Sequence, residues 1–561
     1  MNEQSGLPKV GVFVCRCGVN IGGFLDTAAL VEYAKTLPGV VFAKANLYSC
    51  SESGTAEIKK AIQENKLQRV VVAACTPLTH EPLFRAICQE AGVNPYLFEF
   101  VNIREHCSWA HMKQGEEATA KAKDLIRMGV ARAIKLEPLE PIEAGVEPSA
   151  LVIGGGISGL AATASLAERG FRVALVERET ELGGILRHLY KLYPSDVMAE
   201  EVLKPWRDKV IDNPLIDLYL ESEVISVKGY IGNYNVVIKS PEKEIPLKTG
   251  VIILAAGARL WEPPEGLYGY NKKNVITQLE LENLLMKGKL KGDKVVMIQC
   301  VGAMSPERSY CSRICCVTAI KNAILIKELN PAASVHILYR QMQAYGDEYE
   351  SYLRRAKELG VRLVNFSPEQ PPVVEDQQIK VYHQLLGREL TLPFDLLVLS
   401  TPLVSQQGSE ALGTLLKVPI DQDGFFLEAH IKLRPLDFST DGIYLCGCAH
   451  YPADVGEAVS QALGAASRAS IHLTRGYIKV EPIVSSLIDE GLCQGCGLCA
   501  GLCPYGAIEM VDTPQGKKAK VISVACKGCG ICAASCYCQA IKLSHYTREQ
   551  LEAQIRALLS A

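Results

Sequence analysis

An α/β architecture, with parallel Rossmann-type sheets and cysteine-rich segments at both ends, is predicted by three features of the sequence. The stretch ALVIGGGISGLAATASLAERGFRVALVERE reads as a buried strand, a glycine turn, an alanine-rich helix and a second strand. The first 145 residues alternate apolar strands (VGVFVC, VVFAKANLY, RVVVAAC) with helical segments, and cysteines stand at the strand ends. Near the C-terminus the spacing C-x2-C-x2-C-x3-C occurs twice.

At 561 residues, 48% of them hydrophobic, the chain exceeds what one core holds, so several domains are expected. The expected division is an N-terminal α/β domain over 1–145, a nucleotide-binding domain in two parts over 146–260 and 401–480, an inserted domain over 261–400, a ferredoxin-type domain over 481–545 and a terminal helix over 546–561. No run reaches the ~18 apolar residues of a membrane span, and MNEQSGLPKV has neither the basic nor the apolar part of a signal peptide, so a cytoplasmic protein is expected. A formal charge of -3 and the lack of a long Lys/Arg block give no reason to invoke nucleic acid. Most of the 21 cysteines fall in three groups, Cys15 to Cys107, Cys300 to Cys316 and Cys493 to Cys538, a pattern of metal ligation rather than of a disulfide scaffold.

In the N-terminal domain the candidate ligands are Cys15, Cys17, Cys50, Cys75 and Cys107. Cys15 and Cys17 would share one face of a strand only if both lay on it, so spacing does not choose between them. Cys88, inside the helical PLFRAICQEAG, reads as core, and His106 and His111 as supporting or surface groups.

The glycine turn carries Gly154, Gly156 and Gly159, followed at the helix start by Ile157 and Ser158, and the second strand ends at Glu177 and Arg178. Glycines permit the tight turn and close approach of a pyrophosphate to the helix N-terminus, and the acid suits ribose hydroxyls. ELGGILR, with Gly183 and Gly184, selects FAD over NAD, because this glycine pair follows the second strand in FAD-binding reductases. VIILAAGARL, with Ala256 and Gly257, and STDGIYLCGCAHYPADVGEAVSQALGAASRA, with Gly447 and Val455, resemble the closing segments of thioredoxin-reductase-like two-domain flavoproteins. A helix from about Asp454 would aim its positive end at the flavin. Cys448 replaces the aspartate usual in that type.

The inserted region repeats the nucleotide pattern through KVVMIQC, TAIKNAILIKELN and VHILYR, but its first turn retains only Gly302, so NAD(P)H is not expected there. In its place stand Cys300, Cys311, Cys315 and Cys316, the last three expected at a helix start. Spacing leaves open a 4Fe-4S cluster, a reactive thiol group or merely buried thiols. CQGCGLCAGLCP and CKGCGICAASC follow bacterial ferredoxin spacing, in which the fourth cysteine of each run ligates the other cluster. Cys493, Cys496, Cys499 and Cys536 are assigned to one 4Fe-4S cluster, and Cys526, Cys529, Cys532 and Cys503 to the other. Tyr537 stands where a proline is usual, and Cys538 reads as a spare buried thiol. YTREQLEAQIRALLSA is amphipathic through Leu551, Ile555, Leu558 and Leu559, and is expected to cover the ferredoxin domain, the alternative being to dock a partner.

Assembled, these segments resemble the HdrA family, the FAD- and iron-sulfur-containing subunits of heterodisulfide reductase, over nearly the whole chain. The most specific marks are VFVCRCGVNI, NLYSCSESG, VAACTPLTHEPLF, NIREHCSWAH, CVG with YCSRICCVTAIK, and the two ferredoxin runs. The resemblance implies FAD and four 4Fe-4S clusters: one N-terminal, for which five cysteines compete for four places, one on Cys300, Cys311, Cys315 and Cys316 beside the flavin, and two in the ferredoxin domain. It implies that Lys321 lies near the flavin ring, the alternative being an ordinary lysine on the helix surface. It also implies flavin-based electron bifurcation or confurcation between ferredoxin and a higher-potential partner. The implied partners are HdrB/HdrC-like subunits and an MvhD- or NADH-dehydrogenase-like donor subunit, in a dimer of a hetero-oligomeric complex. The rival expectations are a self-contained NAD(P)H:ferredoxin oxidoreductase and a non-bifurcating electron-transfer subunit. Longer family members carry an inserted second ferredoxin, which this chain, without a cysteine between Cys107 and Cys300, lacks.

Overall fold

The computed structural model describes residues 6–272, 274–480 and 486–560. The chain forms two units, Met1–Glu143 with Lys479–Ala561, and Ala144–Ile478.

In the first unit, Val10–Cys15 is buried at every position, as suits a central parallel strand covered on both faces. It pairs in parallel with Val40–Asn46 and Arg69–Ala74, and Phe98–Asn102 joins the far side of the latter. One face packs on Leu30, Ala122, Ile126 and Val130, and the other on Ile58, Ile62, Phe84 and Cys88. Because all four strands run the same way, their C-terminal ends share one edge, where open α/β sheets place ligands.

The two ferredoxin runs in this unit fold alike. Each has a glycine in the left-handed region, Gly497 or Gly530, before a one-turn helix, Leu498–Leu502 or Ile531–Ser535, that ends on the fourth cysteine, Cys503 or Cys536. The terminal helix Arg548–Leu559 opens with a capping box between Thr547 and Gln550. It corrects the expectation from its pattern, since it lies along the N-terminal domain's helix Gly115–Ile134. Arg127 donates to the carbonyls of Ala557 and Leu558 at 2.7 and 3.3 Å, satisfying acceptors that a helix end leaves free. Gln550 donates to the Lys135 carbonyl at 3.2 Å. Polar anchoring decides the contact, so Leu551, Ile555, Leu558 and Leu559 stay 42%, 56%, 43% and 78% exposed.

The second unit holds two five-stranded parallel sheets. The first runs Ile443–Leu445, Val251–Leu254, Ser149–Ile153, Arg172–Val176, Ile216–Tyr219. The second runs Val275–Thr277, Leu396–Leu399, Lys294–Ile298, Ser334–Tyr339, Arg362–Asn365, entirely between the fourth and fifth strands of the first in chain order. Each sheet has a three-stranded antiparallel companion, over residues 223–249 and 373–393. Among the described residues no helix is long and apolar enough to cross a membrane.

Candidate flavin and iron-sulfur sites

The fingerprint turn is built around backbone contacts that no side chain would allow. A Cβ on Gly159 would stand 1.8 Å from the Gly154 carbonyl oxygen, so only glycine lets the helix Ile157–Glu168 start this close to the turn. A Cβ on Gly156 would meet nothing within 4 Å, and no side chain caps this helix. The turn therefore offers open space beside uncapped amides, including those of Ile157 and Ser158, which fits a pyrophosphate. Glu177 is buried, and its carboxylate accepts from the amides of Gly155 and Glu179 at 2.6 and 2.8 Å, which holds it against the turn. Gly183 bridges to Gly156 and donates to the Gly155 carbonyl at 2.8 Å, with Gly184 following. Ala256 and Gly257 follow the strand Val251–Leu254, whose Ala255 abuts Gly154. Gly447 rests on Ser158, where a Cβ would meet the hydroxyl at 2.1 Å.

Val455 opens the helix Val455–Arg475, but the carboxylate of Asp454 caps it by accepting from the Glu457 amide at 2.8 Å. That carboxylate also accepts from the Tyr349 hydroxyl at 2.8 Å, so the helix end carries a negative group as well as its dipole. Arg178 is exposed and pairs at 3.6 Å with Glu179. The residues expected to hold FAD thus converge on one cradle, with Arg178 at its rim and Val455 at the start of the closing helix.

In the inserted domain, Cys300 follows the strand Lys294–Ile298 with φ +61°, a left-handed turn that breaks the strand direction. The helix begins at Cys315, so Cys311 lies in the loop before it rather than at its start. The four thiols are mutual electrostatic neighbours: Cys315 feels Cys316, Cys311 and Cys300, and Cys316 feels Cys300 and Cys311. Burial first, then Cys311, pushes Cys300 up to about 11, and burial with its three thiol neighbours raises Cys315. Burial also pushes Cys316 up to about 12. Uncharged thiols are therefore favoured until a metal displaces their protons.

Arg313 ties this loop to the flavin side by donating to the Pro452 carbonyl at 2.8 Å and to Glu457 at 3.1 Å. Cys448 packs with Ile314 and donates to the Ala453 carbonyl at 3.4 Å. Burial raises Cys448 to about 11 and Cys446 to about 12, so neither is a poised nucleophile. In the turn that would hold a second nucleotide, Gly302 lies against the Trp261 ring, which a Cβ there would meet at 2.3 Å.

Lys321 is not a surface lysine. It is buried, forms an ion pair with Glu282 and donates to the Lys191 carbonyl at 2.8 Å, while Glu282 accepts from the Tyr190 amide at 3.0 Å. Burial lowers its pKa and Glu282 opposes that shift. The pair so fixes the Tyr190–Lys191 backbone, a few residues beyond Gly184.

In the N-terminal domain the strand ends at Cys15, and Cys17 sits beyond it with φ +43°, so the two do not share a strand face. Cys17 has Cys15, Cys50 and Arg104 as electrostatic neighbours, and Cys75 has Arg104, Cys17 and Cys15. Burial raises both thiols, and the Arg104 guanidinium works against it. Cys107 lies elsewhere: it is fully buried and donates to the Ala118 carbonyl at 2.8 Å, inside the core beneath the helix Gly115–Ile134. Arg104, stacked 4.4 Å from the Trp109 ring, is a cation that the cysteine pattern does not single out, although it lies within NIREHCSWAH.

In the ferredoxin domain Cys493, Cys496, Cys499 and Cys536 line one cavity, the grouping of three cysteines from one run with the fourth of the other. Cys538 lines it too and is half-buried, not the buried thiol expected. Among the described residues no three Cys, His, Asp or Glu side chains converge on a single ion. Thiolates on an iron-sulfur cube bind separate irons at separate corners.

The pyridine nucleotide-disulphide oxidoreductase family matches residues 148–462 and the 4Fe-4S binding domain matches residues 487–509. An iron-sulfur A subunit of the CoB--CoM heterodisulfide reductase of Methanopyrus kandleri is 39% identical, over 98% of this chain and 98% of its own. The A subunit of the H(2):CoB-CoM heterodisulfide,ferredoxin reductase of Methanothermobacter marburgensis is 38% identical, over 99% and 98%. The chain belongs to the HdrA family of heterodisulfide reductases. As a member of that family it is an oxidoreductase subunit, with a thioredoxin-reductase-like flavoprotein core and a C-terminal ferredoxin domain. The alignment with the M. marburgensis relative runs over 648 residues, more than the 561 here, so that HdrA carries segments this one lacks. Among solved structures, T. acidophilum thioredoxin reductase is similar over 58% of this chain and 97% of its own, at 17% identity and a TM-score of 0.42.

Proposed function

We propose that this chain is the FAD-bearing subunit of a cytoplasmic multi-subunit oxidoreductase that bifurcates or confurcates electrons between ferredoxin and a higher-potential, HdrB/HdrC-like partner. Its electron donor is an MvhD- or NADH-dehydrogenase-like subunit, and the assembly is a dimer of the hetero-oligomer. A flavin exchanges electrons in pairs, whereas 4Fe-4S clusters exchange them singly. The observation that carries the reading is the gathering of Cys300, Cys311, Cys315 and Cys316 where a second nucleotide turn would stand, with Arg313 bonded to the start of the flavin-side helix.

Gly154, Gly156, Ile157, Ser158 and Gly159 would hold the FAD pyrophosphate, Glu177 and Arg178 its ribose end, and Gly183, Gly184, Ala256, Gly257, Gly447 and Val455 the rest of the cofactor. Lys321, paired with Glu282, positions the Tyr190–Lys191 backbone and supplies a buried positive charge beside that loop. Cys300, Cys311, Cys315 and Cys316 would hold one cluster, and Cys15, Cys17, Cys50 and Cys75 another, with Arg104 offsetting its negative charge. The two ferredoxin clusters take the crossed sets of Cys493, Cys496, Cys499, Cys536 and Cys526, Cys529, Cys532, Cys503. Trp261 on Gly302 supports a chain that receives electrons from a partner and not from NAD(P)H bound to itself.

Anaerobically loaded protein is expected to contain one FAD and ~16 irons per chain, four for each of four clusters. Cys315→Ala should lower the iron by ~4 while FAD is retained. Full iron in that variant, or rapid flavin bleaching when the isolated chain meets NADH or NADPH, would overturn the reading.

A further inference from the structure

We propose that Nε2 of the Gln299 side-chain amide donates a hydrogen bond to sulfur of the cluster held by Cys300, Cys311, Cys315 and Cys316 and thereby raises the potential of that cluster. The inference rests on those four thiols holding a cluster. Gln299 is only 2% exposed, yet neither its Nε2 nor its Oε1 has a partner. Among the described residues it is the one buried side-chain amide left with both ends unpaired. A buried amide without partners is costly enough that such a group calls for a missing one.

Its place in the sheet says what that partner is. Gln299 follows the strand Lys294–Ile298, and strand alternation puts it on the face of Val295 and Met297, which packs on Val317 and Ile320 of the helix begun by Cys315. Its amide donates to the Leu338 carbonyl at 2.9 Å on one neighbouring strand, and Ser400 beyond the other donates to the Ile298 carbonyl at 2.9 Å. Just past those two strands the thiols make their contacts: Cys316 with the Gln341 carbonyl at 3.6 Å and Cys315 with the Thr401 carbonyl at 3.5 Å. Gln299 is thus flanked on both sides by thiol contacts and is joined directly to Cys300. Gln278, deeper on the same face, shows how this core treats an amide whose partners are protein: it donates to the Ser400 hydroxyl at 3.0 Å and accepts from Asn322 at 2.8 Å. An N–H directed at cluster sulfur stabilises the more negative, reduced state, so removing it lowers the potential.

The test is an anaerobic redox titration of the full chain, loaded with FAD and iron, followed by electron paramagnetic resonance in wild type, Gln299→Leu and the near-isosteric Gln299→Glu. The signal lost in Cys315→Ala identifies the cluster concerned. Its midpoint should move to more negative potential in both variants, further in Gln299→Glu, while the ferredoxin signals keep theirs. Pulsed double-resonance spectra should also lose an exchangeable proton coupled to that cluster in Gln299→Leu. An unmoved midpoint with that proton coupling retained would overturn the role of Gln299. A wild-type protein with no signal that depends on Cys315 would instead sink the cluster reading on which it rests.

Discussion

Lys321 and Glu282 are 2% and essentially 0% exposed, so each charge depends on the other for its solvation. Lys321→Met should therefore destabilise the flavin unit by about 3–5 kcal/mol, because it strands a buried carboxylate. Lys321→Met with Glu282→Leu should recover most of that loss, as read from denaturant unfolding of the two variants. The N-terminal thiols make a similar single-residue argument. Cys50→Ala should cost the protein ~4 irons and Cys107→Ala none, since Cys107 is fully buried in the core beneath the helix Gly115–Ile134; iron analysis separates the two. His545 is buried against Arg132, Arg85 and the Tyr96 carbonyl, and burial lowers it to about 4. Its folded pKa lies below the unfolded value of about 6.5, so its stabilising effect is full above that value and is lost as pH falls toward about 4. Melting temperatures at successive pH values should fall less steeply through this window in His545→Gln than in wild type.

Among the secondary-structure elements, the terminal helix is where periodicity and packing part company. Its apolar stripe predicts burial, yet the stripe faces outward and the helix is held by Arg127 and Gln550. Arg127→Ala should loosen the helix by about 1–2 kcal/mol, the worth of charged hydrogen bonds to half-buried carbonyls. Hydrogen exchange of residues 548–559 should rise at once, with the four-stranded sheet unaffected. The paired one-turn helices after Gly497 and Gly530 behave in the opposite way. Their cysteine spacing is local, so the chain pattern already places three ligands of each set on one turn.

Within each unit, one rule places the gathered thiols outside the ferredoxin runs: a sheet's parallel strands present their C-terminal ends along one edge, and the turns there carry the glycines and cysteines. In the flavin unit the second sheet keeps the nucleotide-domain layout, with four thiols gathered at its first turn and Trp261 against Gly302.

The strands of the parallel sheets, the FAD fingerprint and the cysteine spacing of each ferredoxin run are legible along the chain, because each is written in a short local pattern. All five N-terminal cysteines are legible there too. Packing in three dimensions grouped four of them with Arg104 and buried Cys107, since that choice depends on how four strands and a helix bring distant residues together. Lys321 with Glu282, the unpaired amide of Gln299 and the outward stripe of the last helix were likewise decided by packing. Burial and hydrogen-bond satisfaction are properties of neighbours in space, and no spacing along the chain encodes them.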